Sequence, residues 1–486
     1  MSKKLFSWLS LALFTVLLSF SVRLTAVADT PKHYTELQFE PLPEIELPEY
    51  ERYELDNGMV VYLLEDRDLP LIGGTAIVRT GSRYEPADKV GLAQLTGTVM
   101  RSGGTQDHPA AELNSILEQK AASVETSIGT TSGSASFNTL TEDLDTVFPL
   151  FAEVLRQPAF APDKLAIAIN QQQGAIARRN DDPGEIADRE FNKVLYGETS
   201  PYARTIEYET LDNISREDVI DFYQIYFRPE NIILGIVGDF EADEMIDRVE
   251  STFGDWQVDT PLPALEPPAA SQEYEGGLFA IDRRGQTQSS ILLGHIGGQL
   301  DNPDYPSLSV LNGVLNGFGG RLFNEVRSRQ GLAYSVYGSW SPSYDYDGMF
   351  IAGGQTQTDN TVPFIRSVVG EIEKLRTNLV SEQELINAKE SILNSFVFNF
   401  QNPSQTLSRL MRYEYFDYPE DFIFEYQDRV QDTTQEDVLQ VAQEYLQPDQ
   451  LVTVVVGDVQ AMNPPLSSLE AEVNLVDISL PELKRG

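Results

Sequence analysis

The 486-residue chain has no cysteine and only three histidines, His33, His108 and His295. Without cysteine there can be no disulfide staple, no thiol nucleophile and no thiolate-bound zinc. The histidines are scattered, and no two stand one helical turn apart as a zinc-binding pair would. Basic residues are also scarce: 35 Lys and Arg face 75 Asp and Glu, for a net charge of −40. Phosphate backbones need clustered cations, so nucleic acid is excluded as a partner, and the acidic surplus reads as a solubilising surface. Other chemistry is missing too. There is no Gly-x-Ser-x-Gly elbow and no loop with EF-hand spacing, and Gly317-Phe-Gly-Gly lacks the rest of a phosphate-binding loop. Asp181-Asp182 is an unremarkable acid pair in so acidic a chain.

What is present suffices for a folded, multidomain protein. Hydrophobic residues make up 41% of the chain and aromatics 10%, and the length exceeds what one core supports. Lys3 and Lys4, an apolar stretch over residues 9–20 and Ala26-Val27-Ala28 together read as a signal peptide over residues 1–28. The apolar stretch is short and interrupted for a membrane span. Export to a periplasm, a lumen or the extracellular space is therefore expected, with no stable span after cleavage; a retained N-terminal anchor is the alternative. Removal of Lys3, Lys4 and Arg23 would take the charge from −40 to −43.

An extended lead (29–44) precedes alternating strand and helix patterns. Residues 53–62 read as a β-hairpin around Asn57-Gly58, and 71–79 as a strand. Helical spacing runs through 107–121 and 142–155. Residues 261–270 carry four prolines and no periodicity, as a linker would.

An internal repeat organises the whole. Ser215-Arg-Glu-Asp218 opens a helix ending near Phe227-Arg-Pro229, followed by a strand and Gly238-Asp239. Thr434-Gln-Glu-Asp437, Leu446-Gln-Pro448 and Gly457-Asp458 repeat these landmarks 219 residues later. Each helix starts on an N-capping hydroxyl with an acid three residues on, and each is stopped by proline. The expected fold class is α+β: two homologous domains, 45–260 and 272–463, each a mostly antiparallel sheet with helices packed on it. A linker (261–271) joins them and an irregular tail (464–486) follows.

Two motif clusters carry a family resemblance. Gly81-Ser-Arg-Tyr-Glu-Pro86, Gly91-Leu-Ala-Gln94-Leu-Thr-Gly97-Thr98 and Gly104-Thr105 resemble the first-domain signature of insulinase (pitrilysin) zinc metallopeptidases. Arg321-Leu-Phe-Asn-Glu-Val-Arg327 through Gly331-Leu-Ala-Tyr334 resembles the second-domain counterpart. Active members place His-x-x-Glu-His on a helix, two histidines binding zinc and the glutamate activating a metal-bound water. The resemblance puts Gln94 and Thr98 at the histidines and Gly97 at the general base. Counting back from Asp181-Asp182-Pro183 puts Ala175 at the third ligand and Ala168 at an assisting glutamate. None of these five residues can do the family's work, so the resemblance implies no metal bound by this chain and no peptidase activity of its own.

The family's second domain carries an Arg and a Tyr that reach a zinc site, and the resemblance maps them to Arg327 and Tyr334. Arg presents fixed donors to a substrate carbonyl, and a phenol can donate to an oxyanion. Spacing alone also permits a structural role, because Leu332, Tyr334 and Val336 would share one strand face and Arg327 could pair with Glu325. The resemblance implies the non-catalytic subunit of a heterodimeric zinc endopeptidase, acting on peptides with a zinc-bearing paralogue as partner. The alternative is a non-catalytic scaffold or peptide-binding protein of the same fold.

Overall fold

The computed structural model describes residues 45 and 47–480, apart from 318. The leader and extended lead fall outside these residues. From Leu47 onward the chain forms one compact unit, built around two six-stranded sheets.

The first sheet contains β1 (Glu51–Glu54), β2 (Val60–Glu65), β3 (Leu71–Val78), β4 (Ser123–Ile128), β5 (Gly133–Leu140) and β6 (Ile232–Gly238). Its spatial order is β1-β2-β6-β3-β5-β4. The second contains β7 (Gly277–Asp282), β8 (Gln288–Ile296), β9 (Ala333–Ser341), β10 (Met349–Gln357), β11 (Val452–Gly457) and β12 (Val473–Leu475), ordered β12-β7-β11-β8-β10-β9. Without β1 and β12 the two orders are the same, and each sheet pairs its strands antiparallel except at β2–β6, β7–β11 and β12–β7. The tail, expected to be irregular, thus supplies one edge strand by pairing β12 with β7.

The repeat read from sequence is a repeat of structure. The helices Arg216–Tyr226 and Gln435–Tyr445 both begin on capping boxes, Ser215 with Asp218 and Thr434 with Asp437. Each is followed by a single 3-10 turn and then by β6 or β11. The hairpin joins β1 to β2, with Gly58 alone at positive φ (86°) while Asn57 instead donates to Phe253 O and Trp256 O. Residues 261–272 carry no helix or strand.

Both faces of the central strands are buried, as their unbroken apolar runs require. In β2, Val61 and Leu63 enter the core of the first half, while Tyr62 and Leu64 face a second cluster with Leu407 and Met411. Those last two residues belong to the helix Pro403–Tyr415, which comes from the second half of the chain. The exchange is mutual. The helix Pro183–Tyr196 crosses to the second sheet, where Ile186 and Phe191 pack with Leu292, Val452 and Val454. Glycine stands where each visitor packs: a Cβ on Gly235 would lie 2.3 Å from Met411 Sδ, and one on Gly294 would lie 2.1 Å from Phe350 O of β10 and 2.9 Å from the Phe191 ring. Arg83, 5% exposed, adds a bidentate pair to Asp345 at 2.9 and 2.8 Å.

Candidate functional site

The helix Leu92–Ser102 carries Gln94, Gly97 and Thr98, which the sequence resemblance sets against the family's His-x-x-Glu-His, and it packs against β4 and the helix Pro162–Arg178. Its start is held by Glu85, buried at 5% exposure, whose carboxylate accepts the N–H groups of Gly91 (3.0 Å) and Ala93 (2.8 Å). Burial pushes the Glu85 pKa up against the lowering effect of those bonds. Gln94 and Thr98 lie exposed one turn apart, and Thr98 Oγ1 donates back to Gln94 O at 2.9 Å. Ala175 is exposed on the 162–178 helix, while Ala168 is buried in the core. The fold therefore brings the two helices with these five positions together, with side chains that offer a metal almost nothing.

Gly97 adds a steric fact. A Cβ there would stand 2.6 Å from Ile128 N and 2.9 Å from Ser127 C, both backbone atoms of β4. Thr126 Oγ1 also donates to Gly97 O at 2.6 Å. The helix and strand lie in close contact at Gly97, and no side chain fits there without moving β4. Among the described residues, no group of three or more His, Cys, Asp or Glu could hold a metal ion. His108 Nδ1 lies 2.7 Å from Glu153 Oε2, which raises its pKa, chiefly through that bond. His295 is buried and accepts Gln447 N–H on Nε2 (3.1 Å) with Nδ1 against Ile296 O (2.7 Å), the pattern of a neutral, structural imidazole. Asp182 caps the 183–196 helix by accepting Gly184 and Glu185 N–H.

The second-domain pair is arranged differently. Arg327 sits on a short π-helical segment, Phe323–Arg329, in which Gln330 N–H reaches Glu325 O five residues back. Such segments recur at functional sites. Gly331, at φ 66°, ends it with N–H bonded to Arg327 O, and β9 follows. The guanidinium carbon of Arg327 stands 4.8 Å from the Phe323 ring centroid and 5.0 Å from that of Tyr334. Glu325 is engaged by Arg329 and Gln330 instead, and no ion pair of Arg327 occurs among the described residues.

Tyr334 does not share a face with Leu332 and Val336. Ser335 pairs with Gln355 and Ala333 with Thr356, so Tyr334 is the extra residue of a β-bulge. Leu332, Ala333 and Val336 pack on the core, while Tyr334 is turned outward and is 81% exposed. The bulge overturns the expectation of a shared strand face and removes the argument for Tyr334 as a core residue.

β9 is an edge strand, and part of its edge is occupied. Asn312 Nδ2 donates to Trp340 O and its Oδ1 accepts Trp340 N–H (2.9 and 2.8 Å). Asn316 does the same for Gly338 (2.5 and 3.0 Å). Two side-chain amides thus stand in for a neighbouring strand, a feature that sequence motifs did not signal. Phe323, four residues before Arg327 on the same segment, was also missed, although an aromatic at that spacing from an arginine is a readable signal.

Two homologous α+β domains, with no metal-binding cluster among the described residues of the first and an outward Arg/Tyr pair on the second, define a peptidase-like fold. The chain matches "Insulinase (Peptidase family M16)" over residues 75–206 and "Peptidase M16 inactive domain" over 213–392. It belongs to the insulinase family. It is 24% identical over 361 residues to an uncharacterized zinc protease, YmxG, of Bacillus subtilis, covering 74% of this chain and 86% of the relative. A Helicobacter pylori relative described as a non-peptidase homolog is 24% identical over 383 residues, covering 76% and 85%. The crystal structure of a peptidase M16 inactive domain from Pseudomonas fluorescens superposes with a TM-score of 0.75 at 24% identity, covering 84% of this chain and 98% of that one.

Proposed function

We propose that this chain is the non-catalytic, substrate-binding subunit of an exported zinc endopeptidase. In this reading it supplies Arg327 and Tyr334 to the zinc site of an insulinase-family paralogue, which brings the metal and the general base. The observation that carries the proposal is the bulge at Tyr334. It turns a tyrosine out of a sheet and stacks it against an arginine that no carboxylate among the described residues pairs with. In water a cation–π pair of this kind is worth about 0.5–1 kcal/mol, too little to be the reason for exposing a tyrosine. In a closed cleft the same two groups can hold a peptide carbonyl and donate to a developing oxyanion.

The Leu92–Ser102 helix supports the other half of the division, because Gly97 lies too close to β4 for a glutamate to return. No helix among the described residues is long and apolar enough to cross a membrane. Export rests on the N-terminal residue pattern.

The test is peptide hydrolysis by this chain, by a zinc-bearing paralogue and by their mixture, with native mass measured alongside. The mixture is expected to exceed the paralogue alone by orders of magnitude and to run as a heterodimer. A mixture no more active than the paralogue, or a chain that only pairs with itself, would leave a scaffold or peptide-binding protein.

A further inference from the structure

Between the Glu382–Ser395, Pro403–Tyr415 and Phe422–Asp432 helices lies a cavity of about 480 Å³. Its walls include the rings of Tyr305, Tyr344, Phe396, Tyr413, Phe422 and Tyr426, with Leu300, Ile392 and Ile423 between them. A second depression of about 350 Å³ shares the Tyr344 wall and carries Arg409 and Arg412. Among the described residues neither lining contains an Asp or Glu, in a chain that has 75 of them. The nearby Glu414 is drawn away by Arg52, at 3.0 and 2.6 Å.

Both arginines are engaged by neutral groups. Arg409 donates to Asn399 O (3.3 Å) and Asn399 Oδ1 (2.8 Å), and Asn399 itself lines the aromatic cavity. Arg412 stands over the Tyr344 ring with its guanidinium carbon 5.8 Å from the centroid. Neither takes part in an ion pair among the described residues. Tyr413 is 5% exposed and lines the cavity, and no hydrogen bond of its hydroxyl occurs among the described residues. Tyr413 lines the first depression and not the second, and its hydroxyl is open to bond a ligand in place of water.

We propose that this pair of depressions binds the C-terminal residue of a peptide. A large apolar or aromatic side chain fills the aromatic box, and the terminal carboxylate lies on Arg409 and Arg412. The box supplies ring faces for stacking, and paired guanidiniums suit a planar carboxylate. Ser404, Gln405 and Ser408 line the second depression and offer hydrogen bonds to the preceding peptide groups. The inference rests on the reading that this chain handles peptides, but it uses neither Arg327 nor Tyr334 and needs no partner subunit.

The test is calorimetric titration of this chain alone with N-acetyl-Ala-Ala-Ala-Phe as the free acid, the same peptide as its C-terminal amide, and 3-phenylpropionate. The free acid is expected to bind about tenfold tighter than the amide, as charge-assisted bonds to two arginines would give. R409Q/R412Q should remove that preference while leaving the thermal midpoint in place, and Y413F should weaken both peptides about equally. Equal binding of acid and amide would overturn the proposal, as would an acid preference that survives R409Q/R412Q. Phenylpropionate binding as tightly as the peptide would overturn the peptide assignment in favour of a free aromatic acid. Because no turnover is measured, failure here is separate from failure of the divided-site proposal.

Discussion

Gly97 and Tyr334 show how far a single residue can depart from what its neighbours suggest. At Gly97 the space a side chain would need is filled by the backbone of β4. Restoring the family's residues with Q94H, G97E, T98H and A175E is therefore expected to fail to give stoichiometric zinc. The G97E change alone should destabilise by about 1–3 kcal/mol, as overpacking does, read as a lower urea midpoint. Stoichiometric zinc with an unchanged midpoint would contradict the close approach to β4. Glu384 gives a titration at the same scale. Its bond to Arg321 (2.7 Å), followed by its cap of the 382–395 helix, holds its pKa at about 2 against an ordinary 4.5. A depressed carboxylate stabilises the fold above its unfolded pKa and loses that contribution as pH falls toward the folded one. Stability should therefore drop between pH 4.5 and about 2, and E384Q should show a shallower drop across that window. An identical acid profile for E384Q would show that the pair carries no such linkage.

At the level of elements, the sequence carried most of what was local. The capping boxes at Ser215 and Thr434, the stops before Pro229 and Pro448, and the strands after them were readable because each depends on a few adjacent residues. The bulge was not readable. It is set by the register of β9 against β10, where Gln355 and Thr356 bracket the slip, and a two-residue alternation gave Tyr334 the wrong face. The asparagine cover of β9 was hidden for a similar reason, since only the packed helix shows which backbone Asn312 and Asn316 meet. N312A/N316A should leave four polar groups of Gly338 and Trp340 unpaired and lengthen the free edge. At about 1–3 kcal/mol for each buried group left unsatisfied, the urea midpoint should fall and sedimentation should show concentration-dependent association. A monomer of unchanged midpoint would show that the amides are dispensable.

Across the whole molecule, the exchange of helices matters most, and its sequence signal was available but unused. Asp182-Pro183 and Asn402-Pro403 are cap-and-proline helix starts 220 residues apart, a further landmark of the repeat. Two domains read in series become one interlocked body, since each sheet needs a helix from the other half. Trp256 lies in the first core and Trp340 in the second, so W8F/W256F and W8F/W340F report the halves separately by fluorescence. Both should unfold at one midpoint, and F191A should lower both signals together by about 3–5 kcal/mol. Two separated transitions, with only one displaced, would contradict the interlock.

The divided active site is tested most directly by the turnover number of the reconstituted pair carrying R327A or Y334F in this chain. The expected result is a fall of about 10²-fold or more in kcat for each variant, with the heterodimer's native mass and the zinc content unchanged. Full turnover with both substitutions in place would show that Arg327 and Tyr334 are surface residues and that no divided site exists.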